Sequence, residues 1–126
     1  MIVAGIGCRK NASVDDVLAA INAALKAHAL SPTALSALAT AKFKQDEAAI
    51  IAAGQRLQLP VLLADEAAMQ VVSLRALTQS QFSLAVSGAP SVSETAALAG
   101  AGRLSRLLGP RTVHGPVTCA IAESNA

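Results

Sequence analysis

Tryptophan and tyrosine are absent from this chain, and phenylalanine occurs only at Phe43 and Phe82. Single-stranded nucleic acid is held largely by stacking bases on aromatic side chains, so that class of function is set aside. Charged residues are only 14 % of the 126, with a formal net charge of +2. A duplex-binding protein needs a basic face, which this balance does not provide, so no nucleic-acid partner is expected. Cysteine is scarce too. Cys8 and Cys119 lie far apart without C-x-x-C spacing, which argues against a zinc ribbon or a thioredoxin-type motif. Both thiols are expected to be free, as in a reducing compartment. No His, Asp or Glu cluster has metal-ligand spacing, so neither metal nor cofactor is expected. The apolar runs are too short for a membrane span. The opening M-I-V-A-G-I-G lacks the basic segment of a signal peptide, and a cytoplasmic location without membrane contact is the expectation.

What the chain does have is apolar material, at 53 % of its residues, much of it alanine. The length suits one domain. Residues 1–6 are apolar and run directly into glycine, which reads as a buried strand. The loop Gly7 to Ala12 comes next. Ser13 then has the character of an N-cap, with Asp15 and Asp16 in the first turn. Val14, Val17, Leu18, Ile21 and Leu25 make one apolar stripe on a helix over about 14–29, with His28 near its C-terminal end. Ser31-Pro32 restarts the chain into a short strand over 35–39. A polar segment, 40–45, leads into a helix opened by Asp46 and Glu47 and running to about Leu57. Pro60 precedes a third strand at 61–63, and Asp65 caps a helical stretch to about Leu77. Ser87-Gly88-Ala89-Pro90 is a turn, and 91–101 is an alanine-rich helix. Two strands, 104–108 and 117–122, close the pattern across a short connection that suits an antiparallel pair.

The alternation of strand and helix predicts parallel strands joined by crossovers. The expected fold is α/β, a single small domain with a mixed sheet of about five strands and helices packed on it. The domain spans residues 1–122, and 123–126 form a polar tail.

Four stretches could carry chemistry. Gly5-Ile6-Gly7-Cys8-Arg9-Lys10 sits between a strand and a helix, where ligands bind in open α/β sheets. Its backbone N–H groups, Arg9 and Lys10 would favour an anion, or the stretch is a tight turn with two solvated cations. The third glycine of a dinucleotide fingerprint is missing. In the second stretch, 42–47, Lys44 could bind a carboxylate, while Asp46 and Glu47 could accept from amides or hydroxyls. Dipole-matched acids at a helix start explain the same pattern. In the third, Ser91 and Glu94 have capping-box spacing, leaving Ser93 free to donate to an anion. In the fourth, 111–118, Arg111 could clamp a carboxylate and His114 could titrate near neutral pH, unless this is simply a glycine-flanked hairpin. Cys8 and His114 could also form a nucleophile–base pair if the fold brings them together.

Taken in order, G-I-G-C-R at 5–9, K-x-D-E at 44–47, S-V-S-E-x-A-A-L at 91–98 and G-P-V-T-C-A-I-A at 115–122 resemble the motifs of the CobE/CbiG C-terminal domain family of cobalamin biosynthesis. The resemblance covers nearly the whole chain and is closest to the free-standing CobE form. It implies a corrin-pathway role, and the motif residues Gly7, Cys8, Arg9, Lys44, Asp46, Glu47, Ser91, Ser93, Glu94 and Thr118, together with Arg111 and His114 of the fourth stretch, are the expected ligand-binding residues. The CbiG type opens a ring-A lactone and releases acetaldehyde, but with additional N-terminal regions.

Corrin intermediates are polyanions with a flat apolar face. Arg9, Lys10, Lys44 and Arg111 among helix N-termini suit their carboxylates, and surrounding Ala, Val and Leu suit the ring. The first expectation is an accessory or carrier protein that binds an anionic precorrin. The alternative is an enzyme hydrolysing or rearranging a ring-attached lactone or acyl group, with Cys8, Glu47, Glu94 and His114 as candidates for nucleophile or acid–base roles. A scaffold for another cobalamin-pathway enzyme is the third.

Overall fold

The structure, a computed structural model, describes residues 1–77, 91–102 and 104–124. Six strands form one sheet in the order β3-β2-β1-β6-β4, with β5 also paired to β6. They are β1 (Ile2–Cys8), β2 (Ala37–Ala41), β3 (Val61–Ala64), β4 (Arg106–Leu107), β5 (Thr112–His114) and β6 (Val117–Glu123). β1, β2 and β3 are parallel, and β6 runs antiparallel to β1. The described helices are α1 (Val14–Ala27), α2 (Ala48–Leu57), α3 (Glu66–Val72) and α4 (Val92–Ala101). The mixed α/β architecture stands as expected, with six strands among the described residues rather than about five.

Strand periodicity sorts the sheet's side chains onto two faces. Ala4, Ile6, Leu38, Val117, Cys119 and Ile121 turn to α1 and α2, where Val17, Ile21, Leu25 and Ile50 cover them. Val3, Ala37, Ala39 and Ala122 turn to the other face, against Ala96, Ala97, Leu98 and Ala101 of α4. α1 starts where expected. The Ser13 hydroxyl accepts from the Asp16 N–H at 3.1 Å, and the Asp16 carboxylate accepts from the Ser13 N–H at 3.0 Å. That reciprocal box satisfies two backbone donors at the helix start.

α4 lies unusually close to β1. A Cβ on Gly5 would stand 2.0 Å from the Ser93 carbonyl oxygen and 2.6 Å from the Ala97 nitrogen. At Gly7 a Cβ would meet the Thr118 hydroxyl at 2.8 Å, and at Gly100 the Ala39 Cβ at 3.0 Å and Val3 at 3.2 Å. The order of these contacts shows that α4 runs opposite to β1, with its N-terminus over Gly7. Only glycine permits such an approach of backbone to backbone.

Several boundaries differ from the sequence expectation. β1 continues through Gly7 and Cys8, which the pattern assigns to a loop, because antiparallel pairing to Thr118 and Val117 holds both residues in the ladder. β2 begins and ends two residues later than 35–39, since a 3₁₀ turn at Pro32–Ala34 occupies the approach. α3 stops at Val72 and gives way to a 3₁₀ turn at Ser73–Arg75, short of Leu77; the paired β-branched Val71 and Val72 disfavour continuing the helix. The strand expected at 104–108 shrinks to two residues. The connection before β6 contains β5, whose hairpin turns at Gly115 with φ 57. β6 takes in Glu123, the residue expected to open the polar tail. The turn at 87–90 lies outside the described residues.

Candidate functional site

The parallel strands end at Cys8, Ala41 and Ala64, so the turns leaving these three strands lie along one sheet edge. His114 and Val117 of the β5–β6 hairpin reach the same edge, because Val117 pairs with both Cys8 and His114. The N-terminus of α4 arrives over Gly7. The fold therefore brings Gly7, Cys8, Arg9, Lys44, Asp46, Glu47, Ser91, Ser93, His114 and Thr118 to one rim. Arg111 lies farther back, since it precedes Thr112, which pairs with Cys119.

Around Gly7 the contacts are short-range and polar. The Thr118 hydroxyl donates to the Gly7 carbonyl at 3.4 Å, and the Arg9 N–H donates to the Pro116 carbonyl at 3.0 Å. The Arg9 side chain is exposed, as are Lys10 and Lys42. Lys44 and Glu47 are paired at 3.9 Å and about one-fifth exposed each. Both act on Cys8: burial first, then the Glu47 carboxylate, push its thiol from 9.0 to about 11, against a smaller opposing pull from Lys44. Cys8 is thus a neutral, buried thiol at neutral pH rather than a ready nucleophile. Val117 stands between Cys8 and His114, which puts those two residues roughly 10 Å apart, two strand spacings. The nucleophile–base pair considered from the sequence does not form. β5, which carries His114, instead packs along α1.

Ser91 caps α4, its hydroxyl accepting from the Glu94 N–H at 3.4 Å and lying 3.4 Å from the Ser93 hydroxyl. Glu94 is fully buried. Its carboxylate accepts from the Leu77 N–H at 2.9 Å and from the Arg111 N–H at 2.9 Å. It ties α4 to the chain after α3 and to the start of β5. A carboxylate buried this way needs such donors, so the geometry gives Glu94 a structural task.

The same rim holds a cleft of about 430 Å³ lined by Lys42, Phe43, Gln45, Ala64, Asp65, Glu66 and Met69. Sequence patterning does not single out Lys42, Phe43, Asp65 or Met69 as site residues. The signal that could have found them is the register of β2: with the strand ending at Ala41, residues 42–44 become its first residues beyond the sheet. Val92, in the first turn of α4, packs on the cluster of Ala41, Ala64 and Met69 that floors this cleft. The helix start therefore packs beneath the cleft floor. No helix among the described residues is long and apolar enough to cross a membrane.

Residues 2–122 match the family model for the cobalamin synthesis G C-terminus. The chain is 31 % identical over 121 residues to the protein CobE of Sinorhizobium sp, covering 96 % of this chain and 79 % of that protein. It is similar to the crystal structure of CobE, a protein from the cobalamin biosynthetic pathway, with a TM-score of 0.93, 33 % identity, and 98 % and 90 % of the two chains covered. The crystal structure of cobalamin biosynthesis protein chiG from Agrobacterium tumefaciens is also similar, with a TM-score of 0.79, 44 % identity and 100 % of both chains covered.

Proposed function

Because the chain belongs to the cobalamin synthesis G C-terminal family, we propose that this cobalamin biosynthesis protein binds an anionic corrin intermediate at the rim beyond β1, β2 and β3, as an accessory or carrier protein. The reading rests on one observation: the N-terminus of α4 converges with the cation-bearing turns after β1 and β2. Carboxylates of the intermediate face Arg9, Lys10 and Lys44 and the positive end of the α4 dipole. Thr118 supplies a hydroxyl beside Gly7, whereas Ser93, expected to donate to the anion, is fully buried in the first turn of α4.

Binding is favoured over turnover by the state of the candidate catalytic groups. Cys8 holds its proton, Glu47 pairs with Lys44, Glu94 holds backbone donors, and His114 is separated from Cys8. A cytoplasmic setting, where both thiols stay reduced, and contact with neighbouring pathway enzymes that donate or accept the intermediate go with this reading.

The test is a visible-absorbance titration of the purified protein with hydrogenobyrinic acid, a stable metal-free corrinoid. We expect a saturable spectral shift, weakened by Arg9→Ala and by Lys44→Ala, with the ligand recovered chemically unchanged. Absence of a shift with every pathway corrinoid tried would sink the reading, and a changed product would replace the carrier with an enzyme.

A further inference from the structure

In a chain with so few aromatics, the one described phenylalanine is not in the core. Phe43 is 51 % exposed. It projects from the 3₁₀ turn Lys42–Lys44 that comes after β2 and lines the 430 Å³ cleft. The floor of that cleft is apolar and firm: Met69 is 3 % exposed and Ala64 6 %. The two flanks carry opposite charge. Lys42 is on the β2 side, while Asp65 and Glu66 are on the α3 side. The Lys44 ammonium lies 5.9 Å from the Phe43 ring centroid. A wall with a flat aromatic, an apolar floor and one cation, Lys42, on the flank away from the acids complements a flat, apolar-faced molecule with anionic arms.

We infer that this cleft is the seat of the macrocycle's apolar face, with Phe43 as its platform and Lys42 fixing its orientation. The inference rests on the binding reading above and divides the site in two. The ring takes the cleft between the β2–α2 turn and the start of α3. The carboxylates on its far side reach Arg9 and the first turn of α4, which meets the cleft floor through Val92. Asp65 and Glu66 are held in place, since the Asp65 carboxylate accepts from the Ala68 N–H at 2.8 Å and the Glu66 carboxylate accepts from the Gln70 side-chain amide at 3.4 Å. Their charge turns the anionic arms away from α3 and toward Lys42.

The experiment is the same titration with hydrogenobyrinic acid, run on the full chain at low salt and at 1 M NaCl. Phe43→Ala raises the Kd roughly tenfold or more, on the scale of losing one aromatic stacking partner. Phe43→Leu, which keeps the bulk but not the flat face, falls between, and Phe43→Trp binds as well as the wild type. The Phe43→Ala deficit persists in high salt, because an apolar contact is not screened, whereas the Arg9→Ala deficit shrinks. Lys42→Gln weakens binding and Glu66→Gln tightens it, opposite signs that a general loss of structure would not produce. Leu104→Ser, 93 % exposed at the opposite sheet edge, leaves the Kd unchanged. If the wild type binds and Phe43→Ala binds equally well, the subsite is overturned while the binding reading stands. A Phe43→Ala deficit that disappears in 1 M NaCl also overturns it. Failure of the wild type to bind removes both.

Discussion

The two faces of the sheet solve packing in opposite ways. Toward α1 and α2 the core is built from bulk, with Ile6, Ile21, Leu25, Ile50 and Ile121 all at most 1 % exposed. Toward α4 it is built from near-absence of side chain, with Gly5, Gly7, Gly100, Ala37, Ala39, Ala96 and Ala97 allowing the helix backbone to touch the strand. The first face resembles an ordinary core, where apolar area removed from water is the source of stability. The second gains little area per residue and gains position instead. It sets the α4 N-terminus within contact distance of Gly7, at the rim where the ligand is proposed to sit. Stability and site placement are thus carried by different layers of one small domain.

The largest effects should separate those layers. Ile50→Ala on the bulky face leaves a cavity and costs about 2–5 kcal/mol, measurable by denaturant unfolding. The protein that remains folded should still bind hydrogenobyrinic acid with wild-type affinity. Gly5→Ala should behave differently. Its new Cβ meets backbone atoms that cannot rotate away, so α4 must lift off β1 at a cost of about 3 kcal/mol. Corrinoid affinity should fall with it, even where folding is complete. Gly7→Ala is a milder version, because its nearest obstacle is the Thr118 hydroxyl, which can turn. Equal binding losses for Ile50→Ala and Gly5→Ala would collapse the distinction.

Glu94→Gln comes next. The carboxylate accepts from Leu77 and Arg111, and an amide would present a donor to one of those donors. About 1–3 kcal/mol should be lost, the cost of a buried group left unmatched. Amide exchange at Leu77 and Arg111 should accelerate more than exchange within α1. Uniform acceleration across the chain would mean that Glu94 is not the local tie the geometry describes.

A smaller effect belongs to the bulky face alone. Burial pushes the Cys119 thiol from 9.0 to about 12, and Cys8 reaches about 11. In the unfolded chain both would ionise near the ordinary thiol value. Their contribution is therefore complete below about pH 9 and is lost as pH rises toward the folded values. The melting temperature should fall over that range, and a Cys8→Ala, Cys119→Ala double variant should show a shallower alkaline fall. At pH 8 the native thiols should resist iodoacetamide while the unfolded ones react. Parallel alkaline limbs for both proteins would contradict the burial argument.

The contrast between the faces also explains what could be seen in the sequence. The stripe Val17, Ile21 and Leu25 announced the bulky face, and Ser13 announced the start of α1, because periodicity and capping are local. G-I-G-C-R suggested a site after the first strand, and the fold brings most of the motif residues to one sheet edge. The closeness of α4 to β1 was not legible, since Gly5 and Gly100 reveal a shared contact only when the chain is folded. Glu94 looked like half of a local capping box, yet its carboxylate reaches residues 17 positions away on either side. Phe43 lay inside the candidate stretch 42–47 but was given no role, because an apolar ring is read as core until the fold shows it exposed. β5 escaped notice because three residues, Thr112–His114, depend on β6 for their conformation rather than on their own pattern.

The smallest predicted effect compares the two helix starts at this rim. α1 closes its own N-terminus through Ser13 and Asp16, whereas α4 begins over a glycine with the Ser91 hydroxyl 3.4 Å from the Glu94 N–H. Ser13→Ala should cost about 1 kcal/mol, the usual value of an N-cap, and leave corrinoid binding unchanged. The cap also controls an acid. The Ser13 backbone N–H first, and its hydroxyl second, hold the Asp16 carboxyl below its ordinary 3.8, with a further small pull from His114. A depressed folded value stabilises the protein above the unfolded carboxylate range and is lost as pH falls through it. Ser13→Ala removes the hydroxyl but keeps the N–H, so the Asp16 titration, followed by NMR, should move up only partway toward 3.8. A full return would mean that the backbone half of the box does not survive without the hydroxyl. Ser91→Ala should perturb binding where Ser13→Ala does not, because Ser91 caps the helix whose start is set over Gly7 at the proposed site.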